Sequence, residues 1–334
     1  MIKVVNANRS TKSSLSGPSD ICTSAKLRIG KIPWHTGHDY ELTKLPVEFL
    51  IAGDTHRNWA RSQRPVPENV TFVTSATLAE ADLLITHVDQ WIFQEIEKLS
   101  LFRRCLDINV PKIVINHGCN MVDGCSSEDM RTLVNGHMVV CNSVTAHARW
   151  QIPNSVYVRH GMSPEEWPQT NYGRQNIVVT QPHSKIHSAY RNNDAIVSFE
   201  ALTGIKLDWV GRDYHFDTFD KYRAFLSKSS IYFSPSFASP NPRARTEAML
   251  CGLVPVTTDS HGENEYIENG VNGFCSNNID QLFECLIELN NNPRKCMEMG
   301  MAARRTAQKV FNISNFKSQW RSVISKVLGR SFDV

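Results

Sequence analysis

The sequence has no long apolar run, and this absence bears first on the membrane. No uninterrupted apolar stretch reaches the roughly 18 residues that a helix needs to cross a bilayer. The first ten residues, MIKVVNANRS, also lack the apolar core of a secretory signal peptide. We therefore expect no transmembrane segment and a cytoplasmic protein.

Cysteine is present, but without the spacing of a metal site or of a disulfide framework. The nine cysteines are an odd number and form no Cys-x-x-Cys pair, so we interpret them as reduced thiols. Asp213 and Asp259 are isolated, and no Asp-x-Asp motif follows a predicted strand, so no metal is predicted. No Gly-x-Gly-x-x-Gly sequence follows the first predicted strand of either half, which argues against a dinucleotide-dependent dehydrogenase.

Charge of neither sign dominates the chain. The 36 basic and 33 acidic residues leave a net charge of +3, which is too small to imply nucleic-acid binding by itself. The balance is uneven, because residues 1–32 are rich in Ser and Thr and hold one acid, Asp20, against the cations Lys3, Arg9, Lys12, Lys26, Arg28 and Lys31. Such a segment is most often a solvated tail, and binding to a polyanion is the alternative.

Short apolar runs alternate with helical patterns along the whole chain, which is typical of βα units and parallel sheets. The first series predicts strands at 27–32, 47–52, 70–73, 83–86, 112–116, 138–141 and 156–159, with helices at 37–45, 89–106, 126–135 and 143–150. The second series predicts strands at 177–180, 206–210, 231–234, 254–258 and 273–275, with helices at 190–203, 217–227, 243–251, 263–269, 278–290, 293–310 and 316–328.

The two series predict an α/β protein of two Rossmann-like domains. A length of 334 residues fits two domains of ordinary size, and the Pro-rich, aperiodic stretch 162–175 is their predicted connection. We therefore place the first domain at 1–165 and the second at 166–315. Open parallel sheets bind ligands beyond the carboxyl ends of their strands, so a substrate is expected between the two facing sheets.

The stretch 233–274 is the most informative part of the chain. It reads as a strand, a polar loop, a short helix, a Gly break, a second strand and a Gly-rich turn. Arg243 and Arg245 precede Glu247 at the predicted start of the helix. Cations and free backbone N–H groups therefore coincide at a helix N-terminus, which is an arrangement that binds phosphate.

This stretch resembles the donor-site signature of nucleotide-sugar-dependent glycosyltransferases with the GT-B fold. Segments 139–147, 156–167, 209–213 and 229–236 also resemble markers of this class in the right order, and together they are most similar to the retaining enzymes of family 4. The resemblance implies a nucleoside diphosphate sugar as co-substrate, UDP-linked, with no other cofactor. It also implies retention of anomeric configuration without a metal, and a final helix, 316–334, that crosses back to the first domain.

The resemblance assigns roles on the donor side. Glu247 matches the second acid of the family's Glu-x7-Glu motif, which binds the ribose hydroxyls, whereas Ser239 replaces the first acid, so that a contact with the donor sugar or phosphate differs from the family pattern. The diphosphate is expected to meet cations drawn from Lys185, Arg191, Arg212, Arg243 and Arg245. Gly262 would allow close approach of the backbone to the donor, and Glu263, ahead of Glu265, is the candidate for the donor-sugar contact.

The acceptor side is predicted in the first domain. Gly37 and His38 lie where the first predicted strand leads into the first helix, His87 ends a strand, and His117 follows another. His117 occupies the place where these enzymes often hold a His near the sugar. Because an imidazole titrates near neutrality, His117 is the candidate to assist deprotonation of the acceptor.

The identity of the acceptor stays open at this stage. One class is a saccharide, lipid-linked or small-molecule acceptor in a bacterium. The other is hydroxymethylated DNA in a virus-infected cell, because the order of the Glu-Ala and Gly-Glu-Asn elements also resembles viral DNA-modifying glucosyltransferases; Arg57, Arg61, Arg64 and the basic N-terminal segment would then bind phosphates. Because Ser239 replaces an acid of the motif, a non-catalytic module that only binds the nucleotide sugar is a further alternative. Hydrolysis of the nucleotide sugar without an acceptor is intermediate between transfer and binding alone.

Overall fold

The computed structural model describes residues 26–55, 58–118, 125–172, 176–180, 192–237, 242–259 and 266–331. Most of the basic N-terminal segment lies outside the described residues. So do several predicted site residues, namely Arg57, Lys185, Arg191, Ser239, Gly262, Glu263 and Glu265.

Seven parallel strands form the first sheet, as the apolar runs predicted. They are β1 Arg28–Lys31, β2 Glu48–Ala52, β3 Val70–Val73, β4 Leu83–Val88, β5 Lys112–Asn116, β6 Met138–Cys141 and β7 Ser155–Tyr157. Their order across the sheet is β3-β2-β1-β4-β5-β6-β7. Every residue of β4 and of β5 is buried, because the central strands of a parallel sheet are covered on both faces.

Five parallel strands form the second sheet. They are β8 Ile177–Val179, β9 Leu207–Trp209, β10 Ile231–Ser234, β11 Val254–Thr257 and β12 Phe274–Cys275, in the order β12-β11-β10-β8-β9. The prediction of an α/β protein with two parallel sheets is therefore confirmed. In both sheets the strands run the same way, so each sheet has one edge at which all carboxyl ends meet.

Ten α-helices connect and cover the described strands. They are α1 Thr36–Leu42, α2 Ile96–Asp107, α3 Ser127–Leu133, α4 Val144–Trp150, α5 Asn193–Thr203, α6 Phe219–Leu226, α7 Arg243–Cys251, α8 Ile279–Asn291, α9 Pro293–Val310 and α10 Ile313–Leu328. None of the helices in the described part of the chain combines the length and the apolarity that a bilayer-spanning helix requires.

Local hydrogen bonding explains where the elements differ from the sequence prediction. The helix predicted over 89–106 begins at Ile96, because the Asp89 carboxylate accepts from the Trp91 backbone N–H and a turn precedes the helix. Residues 266–269, the described part of the helix predicted at 263–269, are not helical. A 3-10 helix at Ser75–Glu80 was not anticipated.

The C-terminal helix α10 packs against the first sheet. Phe316, Trp320, Val323 and Ile324 are buried in one apolar cluster with β1, β2, β4 and β5. Gly161 lies directly against α10, since a Cβ added to it would be 2.5 Å from the Cβ of Phe316. The Met162 backbone N–H donates to the Phe311 carbonyl at 2.9 Å, so the start of the interdomain connection is tied to the chain that leads into α10.

Candidate functional site

At the carboxyl ends of the two sheets, helix α1, which follows β1, meets the first turn of α7. Arg243, the first residue of α7, donates through Nη2 to Glu41 Oε1 at 3.2 Å, and Glu41 is fully buried on α1. A Cβ added to Gly37 would lie 3.2 Å from Arg243 Nε. Gly37 therefore admits the guanidinium to this position. On the same helix, Thr246 Oγ1 lies 2.9 Å from Nε2 of His160.

Arg243 carries hydrogen-bonding capacity that the described protein does not use. Its Nε and Nη1 atoms are buried and have no hydrogen-bond partner among the described residues. Burial lowers the pKa of Arg243, against the opposing charge of Glu41. Burial likewise raises the pKa of Glu41, which Arg243 and Lys44 oppose. The result is a cation with donors left over at the start of a helix, which favours an anion.

Glu247, one turn further along α7, is held by donors from both domains. Arg64 of the first domain forms an ion pair with one carboxylate oxygen through Nη2. The Tyr222 hydroxyl on α6 donates to the other oxygen at 3.0 Å. Burial raises the pKa of Tyr222 well above its usual value, and the Glu247 charge adds to that rise. Glu247 is 6% exposed, so this carboxylate is a buried, oriented group and not a surface acid.

A buried lysine lies at the end of β1, behind the predicted acceptor side. Lys31 is fully buried and forms an ion pair with Asp39 at 2.9 Å. Its Nζ is also 2.6 Å from His87 Nε2. The Trp34 ring stacks on the His87 imidazole with 5.5 Å between ring centroids. Burial lowers the pKa of Lys31, against the opposing effect of Asp39.

The contact continues from His87 to the half-buried His117. His87 Nδ1 lies 2.8 Å from His117 Nε2, and His117 Nδ1 lies 2.8 Å from the side-chain amide of Asn142. Both ring nitrogens of His117 thus have protein partners, so the imidazole would accept a proton from an acceptor only after Asn142 moves. The exposed His35 lies edge-on to His117 at 5.0 Å between centroids.

His38 completes the group of imidazoles. Its ring lies edge-on to His117 at 5.5 Å, and its buried Nδ1 has no hydrogen-bond partner among the described residues. Burial, followed by the charge of Lys31, holds the pKa values of His38 and His87 well below the usual 6.5. Both rings are therefore neutral at physiological pH.

Of the cations predicted to meet the diphosphate, Arg212 does not join Arg243 at the start of α7. Arg212 lies beyond β9, where its guanidinium pairs with Glu200 at 3.0 Å and with Asp213 at 2.6 Å and lies over the Trp209 ring. Its charge is therefore balanced by two carboxylates. Arg245 is fully buried, 5.4 Å from the centre of the Tyr266 ring.

Two cations that the alternative of polyanion binding would place on the surface are buried. Lys31 is fully buried against Asp39, and Arg64 is 4% exposed against Glu247. The prediction of surface roles for these two residues is wrong, because each is neutralised by a buried acid. Arg61, in the same loop as Arg64, is exposed.

Several residues of the site were missed by sequence reasoning: Asp39, Glu41, Tyr222, Asn142, and the interior roles of Lys31 and Arg64. Lys31 alone carried a local signal, since it continues an apolar strand as the only charge in the run Ile29–Ile32. The others have polar residue types that are mostly exposed in proteins, and their burial follows from tertiary contacts.

Residues 206–306 match the family model "Glycosyl transferases group 1". No curated protein matches the chain in sequence.

Solved structures share the fold over almost the whole chain. Alr3699/HepE of Anabaena, in complex with UDP-glucose, is 14% identical with a TM-score of 0.68, covering 90% of this chain and 100% of that one. Sucrose-phosphate synthase of Thermosynechococcus elongatus is 11% identical with a TM-score of 0.64, covering 91% and 100%. An alpha-glucosyltransferase (AGT) in complex with UDP is 13% identical with a TM-score of 0.60, covering 89% and 100%. These similarities show a GT-B fold, and with the family match they support a glycosyltransferase.

Proposed function

We propose that the protein transfers a sugar from a UDP-sugar to an acceptor hydroxyl, with retention of configuration and without a metal ion. The observation that carries this proposal is the first turn of α7, where Arg243 has unused buried donors and Glu247 is an oriented carboxylate. A nucleoside diphosphate offers the matching groups, namely an anion for Arg243 and ribose hydroxyls for Glu247. Structures with the same fold have been solved with UDP-glucose and with UDP.

The diphosphate would lie at the N-terminus of α7. Negative charge grows on the leaving diphosphate as the bond to the sugar breaks, so fixed positive charge there lowers the barrier more than it stabilises the ground state. Arg243 supplies that charge together with the helix dipole. Because Arg243 is already held beside Gly37 and Glu41 with its Nε and Nη1 atoms buried, little reorganisation would accompany the reaction.

The reaction balances without any further co-reactant. The bond between the sugar anomeric carbon and the diphosphate oxygen breaks, and the acceptor oxygen bonds to the same carbon on the same face. The acceptor proton passes to an oxygen of the departing diphosphate. UDP and the glycosylated acceptor are the products.

The imidazoles of His38, His87 and His117 form the acceptor-side wall. His117 is half-buried at the edge of this group, and His38 and His87 lie behind it. Because both ring nitrogens of His117 are engaged by His87 and Asn142, this ring would contribute a packing surface for the acceptor and not a base. In this arrangement His117 positions the acceptor while the donor diphosphate takes the proton.

Saccharide or other small acceptors fit this site better than DNA. The burial of Lys31 and Arg64 removes two of the cations that binding to DNA phosphates would use, and phosphate contacts supply most of the affinity of such complexes. Hydroxymethylated DNA is therefore an acceptor to be tested beside glycosides.

Titration with nucleotides tests the donor site directly. We expect UDP to bind the wild-type protein and Glu298→Gln equally, since Glu298 is an exposed acid on α9. Glu247→Gln is expected to bind UDP at least about tenfold more weakly, because hydrogen bonds to a charged group are lost. Failure of every nucleotide and nucleotide sugar to bind the wild-type protein would overturn the proposal.

Turnover identifies the acceptor and the stereochemistry. UDP-sugars are supplied with a panel of glycosides, hydroxymethylated duplex DNA and plain duplex DNA, and the anomeric configuration of the product is read by NMR. We expect a retained configuration and a rate that a chelator leaves unchanged. An inverted product or a loss of rate with the chelator would contradict that part of the proposal.

A further inference from the structure

Arg64 reaches from the first domain into the second. Its backbone stays with its own domain, because the buried indole N–H of Trp59 donates to the Arg64 carbonyl at 3.0 Å. Its guanidinium crosses to Glu247 on α7, where Nη2 bonds to one carboxylate oxygen. These two residues are 183 positions apart in the chain.

Aromatic rings of the second domain and of the interdomain connection surround the guanidinium. The Cζ of Arg64 lies 4.3 Å from the Phe219 ring centre and 5.3 Å from that of Trp167. Tyr40 of the first domain lies at 5.9 Å. An arginine stacked on rings and bonded to a carboxylate is fixed in direction, since both interactions depend on the plane of the guanidinium.

The fixed guanidinium leaves part of the Glu247 carboxylate open to a ligand. A carboxylate has about four acceptor positions; Arg64 takes one and the Tyr222 hydroxyl takes another. Among the described residues nothing else bonds to this carboxylate, so two positions remain, which is the number that the 2′- and 3′-hydroxyls of one ribose require. Because a planar cation holds one oxygen and a phenol holds the other, rotation of the carboxylate would break both contacts.

We propose that Arg64 is a positioning residue for the donor nucleotide, which completes the ribose-binding carboxylate of the second domain from the first domain. This inference rests on the proposed function, because it takes Glu247 to be the ribose ligand. It assigns to Arg64 a part in nucleotide recognition, and it makes the ribose site complete only when the two domains are in contact.

A ribose-specific readout separates positioning from a merely structural role. UDP and 2′,3′-dideoxy-UDP differ only in the two hydroxyls that Glu247 would bind. The ratio of their affinities therefore reports the carboxylate geometry, whereas a general loss of folded protein weakens both ligands equally. We expect the wild-type protein to prefer UDP by about 10-fold to 100-fold, the range for hydrogen bonds to a charged group.

Calorimetric titration of both nucleotides is carried out on a set of folded variants. Arg64→Met is expected to lower the preference for UDP to below about threefold, and Glu247→Gln to remove it. Arg64→Lys, which keeps the charge but not the planar fork, is expected to fall between Arg64→Met and wild type. The matched control Arg294→Met breaks an exposed Arg–Glu pair on α9 and should keep the wild-type preference.

The double variant Arg64→Met/Glu247→Gln guards against misfolding. A lone buried Glu247 is strongly unfavourable, so Arg64→Met alone can unfold, whereas the double variant contains no uncompensated charge. If the two substitutions act on one geometry, the double variant has the same nucleotide preference as Glu247→Gln.

The outcomes distinguish the two proposals. If Glu247→Gln loses the preference for UDP while Arg64→Met and Arg64→Lys keep it, the role of Arg64 is overturned and the donor site stands. If Glu247→Gln also keeps the wild-type preference, or if the wild-type protein binds neither nucleotide, the assignment of Glu247 fails and the role of Arg64 fails with it.

Discussion

Lys31 and His87, 56 residues apart in sequence, meet in the interior of the first domain with 2.6 Å between Lys31 Nζ and His87 Nε2. A lysine ammonium can only donate hydrogen bonds. While Lys31 is protonated beside Asp39, His87 must therefore accept at Nε2 and carry its proton on Nδ1. That proton is directed at His117 Nε2, 2.8 Å away. One buried cation thus sets the tautomer of His87.

The tautomers are the first prediction. In protein labelled with ¹⁵N at histidine, we expect His87 to carry the proton on Nδ1, with Nε2 as the acceptor. Lys31→Met removes the donor and should release this order, giving mixed or inverted tautomers that long-range ¹H–¹⁵N correlation spectra resolve. A wild-type His87 protonated on Nε2 would contradict the prediction. Lys221→Met, which removes an exposed lysine, is the control.

Acid should destabilise the folded protein through its neutral imidazoles. Burial holds the pKa values of His38, His87 and His160 well below 6.5 in the folded state. Above about pH 6.5 these rings are neutral in both states and contribute no pH dependence. Below it the unfolded chain binds protons that the folded chain does not, so the free energy of unfolding falls by about 1.4 kcal/mol per pH unit for each ring.

Urea unfolding at pH 7.5 and at pH 5.5 measures this effect. The His160→Gln variant is expected to lose less stability than the wild-type protein between the two pH values. The difference should be the contribution of one ring, about 1.4 kcal/mol. His215→Gln changes an exposed histidine and should leave the loss as it is in the wild-type protein. Equal stability of the wild-type protein at the two pH values would show that these rings are not held neutral.

Gly37 is expected to be sensitive to the smallest side chain. An added Cβ would lie 3.2 Å from Arg243 Nε and 3.5 Å from Arg64 Nη2. Gly37→Ala should therefore displace Arg243 and weaken UDP binding about tenfold, with a small effect on stability because a long side chain can yield. Gly53→Ala is the control, since its Cβ would meet no atom closer than 3.8 Å. Equal UDP affinities for Gly37→Ala and Gly53→Ala would separate Gly37 from the donor site.

Elements with a clear short-range sequence pattern were predicted from the sequence. The apolar run of β4, buried at every residue, and the start of α7 at Arg243 both follow from short-range patterns. The contacts between residues of the site could not be predicted from such patterns. Arg64 and Glu247 each have the appearance of a surface residue, and their pairing depends on how two separately folded sheets face each other.

For Glu247 and His117 the sequence predicted the position of a functional residue but not its contacts. Similarity of residue type marked both positions, but it carried no information on their neighbours. The ion pair of Glu247 with Arg64 and the double engagement of the His117 ring are properties of the packed structure. Such contacts decide whether a carboxylate is oriented and whether an imidazole is available as a base.

Docking of the C-terminal helix gives the last prediction. At Gly161 an added Cβ would lie 2.5 Å from the Cβ of Phe316 and 3.0 Å from the Cα of Ile313, and neither backbone-proximal atom can move without shifting α10. Gly161→Ala should therefore cost about 1–3 kcal/mol of unfolding free energy, as overpacking does.

The lost stability should be localised. Because Phe316 and Trp320 of α10 are buried in the core of the first sheet, hydrogen exchange in Gly161→Ala is expected to accelerate in α10 while the amides of β10 and β11 keep their protection. Trp320→Ala should reproduce the pattern at about 3–5 kcal/mol, since a large buried ring is removed. Uniform acceleration across both sheets would instead mean that α10 unfolds only with the whole chain.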